Sequence, residues 1–246
     1  MDGCYLKVRR AEEHLNTLKQ LIGGLLNDYP ISVETEIDPD TGERFWWIAE
    51  EPAQPPEWWS PILGDFLYNL RSSLDHLAWQ LVLRSGGIPT NGTEFPIFRD
   101  PGKYASKDPR KLAGMQPEIV AAVDAAQPCN RVANPLAHPL WWLQDLGNID
   151  KHQELHLIIA AAEGGFFVPP LPGNLVFEVR PYTGRLQRET ELLRMPPEQV
   201  HVQYGPIFGI EVDIPDAPIY RRNLVYLLDS ISAEARATLS GFRRFF

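Results

Sequence analysis

Cysteine is scarce in this chain, with two among 246 residues. Cys4 and Cys129 form neither a CxxC pair nor a closely spaced even set, which excludes a disulfide-stapled scaffold and a cysteine-built metal knuckle. Long apolar runs are missing too. The nearest approach, LHLIIAAAEGGFFVPPL, is broken by Glu163, two glycines and prolines, well short of the roughly eighteen residues that span a bilayer. Residues 1–30 lack the apolar stretch of a secretory signal, so a soluble, cytoplasmic protein is expected. Positive charge is in deficit: 23 Lys and Arg stand against 32 Asp and Glu, a net charge of -9. A broad basic surface for extended duplex DNA is thereby excluded, although a small local nucleic-acid site is not. The phosphate-loop, dinucleotide, nucleophile-elbow and zincin motifs are all absent, leaving those chemistries without support.

What the chain has is periodicity punctuated by proline. Val8, Ala11, Leu15, Leu18, Ile22 and Leu25 recur at steps of three and four, predicting a first helix over 4–28. ISVETEID and ERFWWIAE flank a Pro-Asp-Thr-Gly turn and read as a β-hairpin over 31–50. Ser60-Pro61 and Gly86-Gly87 bound a second helix over 60–85 as cap, first residue and stop. Residues 88–136 read as an ordered connection with one short helix, Pro117 to Ala126. His138-Pro139 opens a third helix, expected to run to 156, and Pro218 a fourth, expected over 218–244. NLVFEVR, RLQRETELLR, QVHVQY and IFGIEVDI predict antiparallel strands within 166–214. The expectation is an α+β fold in one domain, 1–246: a four-helix bundle carrying a hairpin and a small antiparallel sheet between helices three and four. The pairs Trp46-Trp47, Trp58-Trp59 and Trp141-Trp142 are expected in core and interface packing, and His138 as a helix cap.

The second helix, SPILGDFLYNLRSSLDHLAWQLVLR, carries two patterns. Leu63, Leu67, Leu70, Leu74, Leu77 and Leu81 fall within an arc of about 80° and form a core stripe. Opposite them lie Arg71 and His76, about 140° apart around the axis, with Tyr68, Ser72, Asp75 and Trp79 between. Aromatics here point to a covered face rather than one meeting water. Arg71 and Asp75 are four apart and can pair. A second polar run, DLGNIDKHQELH, spans Asp145 to His156.

The segment Arg71-Ser-Ser-Leu-Asp-His76 resembles the Arg-x4-His motif of HEPN-like proteins, compact helical bundles that include metal-independent ribonucleases. The resemblance implies a homodimer in which two motifs meet, an RNA substrate and no cofactor. It also implies that Arg71 holds a phosphate while His76 moves a proton during attack by the adjacent ribose hydroxyl. Over most of its length the chain further resembles a group of uncharacterised bacterial and phage proteins sharing GDFLxNLRSxLDH and NIDKH, a group that brings no established activity. On this reading Arg71, Asp75, His76, Asn148, Lys151 and His152 gather at one catalytic site.

The third helix supports an alternative. If it stays helical past Asn148, then Asp145, Asn148, His152 and His156 form one stripe. Two histidines at this spacing can chelate one divalent metal ion, with His76 as third ligand. That set is similar to the three-histidine site of DinB-like metal-binding bundles. A third reading is a non-catalytic interaction protein, in which the polar cluster only stabilises the helix.

Overall fold

A computed structural model describes residues 1–161, 166–168, 185–197, 203–214 and 222–246 of the chain. It is α+β, and it divides into two compact units, one comprising Met1–Leu18, Ser60–Leu155 and Tyr226–Phe246, the other Lys19–Trp59 and His156–Val225. No helix among the described residues is long and apolar enough to cross a membrane.

The first unit is helical. It contains the start of α1 (Asp2–Asp28), all but the first residue of α2 (Trp59–Arg84), α3 (Pro101–Lys111), α4 (Pro117–Ala125), the single turn α5 (Pro128–Arg131), α6 (Pro139–His152) and nearly all of α7 (Leu224–Gly241). The six leucines of the α2 stripe are all 0% exposed, as are Phe66, Ala78 and Val82. Each buried leucine contributes about 1.5–3 kcal/mol, which makes α2 the axis of this unit. Leu15 and Leu18 of α1, Leu140, Leu143 and Leu146 of α6, and Leu227, Leu228, Ile231 and Leu239 of α7 are buried as well. Phe95, in the connection after α2, packs edge-on against Phe242 beyond α7, with ring centroids 6.0 Å apart.

Several boundaries differ from expectation. Helix α2 begins at Trp59, so Ser60 lies inside it, and the Ser60 hydroxyl donates to the Leu155 carbonyl at 2.6 Å instead of capping. The 88–136 connection holds three helices rather than one, and a bundle of four helices alone is therefore not the architecture. Helix α3 escapes a reading by periodicity because it is polar, and because Asp100-Pro101-Gly102 has the composition of a turn. Here the same residues start a helix: the Asp100 carboxylate accepts the Lys103 N–H at 3.0 Å, Pro101 takes the first position, and the backbone bonds hold the Asp100 pKa below its ordinary value.

The start of α6 follows the sequence. His138 Nδ1 accepts the Leu140 N–H at 3.2 Å as an N-cap, and Pro139 occupies the first position. Its end does not. Gln153 is extended at φ -148°, ψ 152°, and β3 begins at Leu157, so α6 stops at His152 rather than 156. For the last helix, Pro218 lies outside the described residues and the first helical residue is Leu224.

The second unit carries the strands. β1 (Val33–Ile37) pairs antiparallel with β2 (Arg44–Ile48) around a turn in which the Asp38 carboxylate accepts the N–H groups of Asp40 and Thr41. β2 pairs in turn with β5 (Glu191–Met195), with a register shift between Trp46 and Trp47. The expected hairpin is thus two strands of a three-stranded sheet. β3 (Leu157–Ala161) pairs with β7 (Phe208–Val212), and β4 (Phe166–Val168) with β6 (Gln203–Gly205). The expected strand NLVFEVR falls outside the described residues. Each tryptophan pair sends one ring inward: Trp46, Trp59 and Trp142 are at most 5% exposed, whereas Trp58 is 56% exposed.

Candidate functional site

The second face of α2 is organised around Arg71, whose side chain is 14% exposed. Its Nη2 donates to Asp75 Oδ1, one helical turn on, at 2.7 Å and to the Phe95 carbonyl at 2.6 Å. The Phe95 N–H closes the ring by donating to the same Asp75 oxygen at 3.0 Å. Two residues of one helix therefore clamp the backbone of the connection that follows it. Arg71 Nη1 is buried and has no hydrogen-bond partner. Burial lowers the Arg71 pKa, and the charge and hydrogen bond of Asp75 oppose that; the group stays cationic.

A cleft of about 170 Å³ lies between α2 and α6, lined in part by Tyr68, Arg71, Ser72, Asp75, Asn148, Asp150 and Lys151. A wider cavity of about 440 Å³ shares Arg71, Asp75, Gln144, Asn148 and Lys151 with it and continues to Glu94, Arg99, Asp100, Lys103, Lys111 and Trp141. Five cations, Arg71, Arg99, Lys103, Lys111 and Lys151, face three carboxylates, Asp75, Glu94 and Asp100. The chain as a whole is acidic, so this cavity is a local reversal of sign, which concentrates anions. Lys111 is held below its ordinary pKa by burial and by the nearby Arg71 charge, with Asp75 opposing.

Of the six residues expected at one site, Arg71, Asp75, Asn148 and Lys151 line the wider cavity together. His76 does not: it is exposed and faces a separate cavity of about 580 Å³ with Trp79, Gln80 and Thr93. Asp75 lines both cavities. His152 is exposed at the last position of α6 and lines neither. The metal stripe is also corrected, since the extended backbone at Gln153 ends the helix before His156 and the two histidines do not share a helical face. Among the described residues no group of three or more His, Cys, Asp or Glu side chains is placed to hold a metal ion.

Sequence reasoning missed Asp150, Glu94, Phe95 and the cations of the 99–111 segment. The signal for Asp150 was Gly64, a glycine early in a leucine-rich helix. A Cβ at Gly64 would stand 2.6 Å from Asp150 Oδ1, so the glycine is there to admit that carboxylate against the α2 backbone. Burial first, and then the charge of Asp65, raise the Asp150 pKa above its ordinary 3.8. In the unfolded chain this carboxyl ionises first, so its contribution to stability falls as pH climbs from near 3.8 through the raised value. Asp150→Asn is accordingly expected to unfold at a higher temperature than wild type near pH 7 and at an equal one below that window. Melting curves at the two pH values check this, and a constant offset would contradict it.

Comparison with protein-family models, curated proteins and solved structures finds no match to this chain.

Proposed function

We propose that the helical unit binds the phosphate backbone of RNA at Arg71 and cleaves it without a metal ion, as a HEPN-like ribonuclease working as a homodimer. The observation that supports this is the Arg71 guanidinium, held in place by Asp75 and the Phe95 carbonyl and lining a cavity where cations outnumber carboxylates. Lys151 and Asn148 add a cation and an amide to the same wall, and such donors stabilise charge developing on phosphorus. In the reaction the ribose 2′-oxygen bonds to phosphorus and gives up its proton, the bond from phosphorus to the 5′-oxygen breaks, and that oxygen takes up a proton. The products are a 2′,3′-cyclic phosphate and a 5′-hydroxyl.

His76 is the proton-transfer group. Within one chain it opens onto a different cavity from Arg71, so a phosphate held by Arg71 is served by the partner's His76. Purified protein is expected to cleave single-stranded RNA in EDTA, with cleavage lost in both Arg71→Ala and His76→Ala. Mixing the two inactive variants should restore part of the activity, because one hybrid site then carries both residues. Intact RNA across varied sequences with folded wild type would overturn the reading.

A further inference from the structure

We infer that the Arg71 cavity contains a seat for a single phosphate group, and that Glu94 occupies this seat in the free protein as an internal anion. The inference rests on the phosphate-binding part of the reading above. Glu94 lies in a stretch of backbone that is tied down on both sides. The Thr93 N–H donates to the Thr90 carbonyl at 2.9 Å and the Thr93 hydroxyl accepts the Thr90 N–H. On the other side, Phe95 is clamped by Arg71 and Asp75. From this fixed base the Glu94 carboxylate reaches two cations, lying 3.9 Å from Arg71 Nη2 and pairing with Lys111 Nζ.

A guanidinium and an ammonium held this close in a partly desolvated wall repel each other unless an anion lies between them. Asp75 offsets part of this repulsion, and Glu94 is the second anion, the one that pairs with Lys111. Its side chain is 45% exposed, so it can turn into water without moving the clamped backbone. A phosphate group carries more charge and more acceptor oxygens than a carboxylate and faces the same two cations, so it takes the seat by displacing Glu94.

Competition for one seat has a signature that long-range charge does not. An internal competitor weakens every ligand of the seat by the same factor, whatever the ligand's total charge. A carboxylate acting only through its field weakens a polyanion far more than a small anion, and salt erases the effect.

The experiment measures affinities of inorganic phosphate and of a non-cleavable 2′-deoxy oligonucleotide for wild type, Glu94→Gln, Glu94→Asp and the cavity-rim control Asp100→Asn, at two salt concentrations. Glu94→Gln is expected to tighten both ligands by a common factor of about five, the upper size of a partly exposed ion pair, at either salt. Glu94→Asp keeps the charge but withdraws it from Lys111, and should tighten both part-way. Tightening that grows with ligand charge and fades in salt, as expected for Asp100→Asn, would overturn the inference, as would Glu94→Asp behaving like wild type. Unfolding curves confirm that each variant is folded. If phosphate binds as described and RNA stays intact, the ribonuclease reading falls alone; if RNA is cleaved and Glu94→Gln binds like wild type, the internal-anion inference falls alone.

Discussion

Arg71→Ala is expected to lose RNA cleavage and phosphate binding together and to destabilise the helical unit by about 2–4 kcal/mol. The cost arises because the substitution strands two acceptors at once. Asp75 loses its cation and the Phe95 carbonyl loses its donor, although the 32% exposure of Asp75 lets water recover part of the loss. Arg71→Lys separates the two roles. Lysine keeps the charge but cannot hold Asp75, the Phe95 carbonyl and an incoming phosphate with one planar fork, so it should recover more stability than activity. Chemical denaturation and a cleavage assay on the same preparations read the two effects. Stability equal to wild type in Arg71→Ala would show that the ring through Asp75 and Phe95 is not what holds the connection to α2.

The second large effect is expected at Gly87, in the glycine pair that stops α2. A Cβ there would stand 2.6 Å from the Gly114 carbonyl oxygen and 3.0 Å from Gly114 Cα and from Val82 Cγ1. The nearest obstacle is backbone, and its neighbours cannot yield easily: Gly86 and Gly114 sit at φ of 77° and 87°, a region that disfavours other residues. Gly87→Ala should therefore lower stability by about 2–4 kcal/mol, through overpacking and displacement of the 114 turn. Gly24→Ala is the control, being helical with nothing within 4 Å of the added carbon, and should stabilise by about 0.5–1 kcal/mol. Equal melting temperatures for Gly87→Ala and wild type would mean that the approach of the two loops is looser than the distances state.

Much of the local structure was legible because it is set by neighbours in the chain. The leucine stripe of α2, the His138-Pro139 start of α6, the strands around the Asp38 turn and the Arg71–Asp75 pair each depend on spacings of four residues or fewer. Helix α3 was lost to the same logic, since Asp100-Pro101-Gly102 is compatible with a turn and with a capped helix, and little apolar periodicity follows to decide. Only burial of Tyr104 and Leu112 does so. Strand β5 could not be assigned to β2 from sequence, because about 145 residues separate them and pairing carries no local mark.

The candidate site divides along the same line. By itself the sequence determined that one helix has a leucine face and a polar one, and that Arg71 and His76 lie on opposite flanks of the latter. Tertiary structure alone decided what each flank meets: the 94–111 segment and α6 bring Glu94, Lys111, Asn148, Asp150 and Lys151 to Arg71's side, while His76 faces another cavity. It also decided that α6 ends at His152, which separates His152 from His156 as ligands of one helix face. The physical reason is reach. Helical period and capping act over a few residues, whereas the charge and burial of a cavity wall depend on segments far apart in sequence.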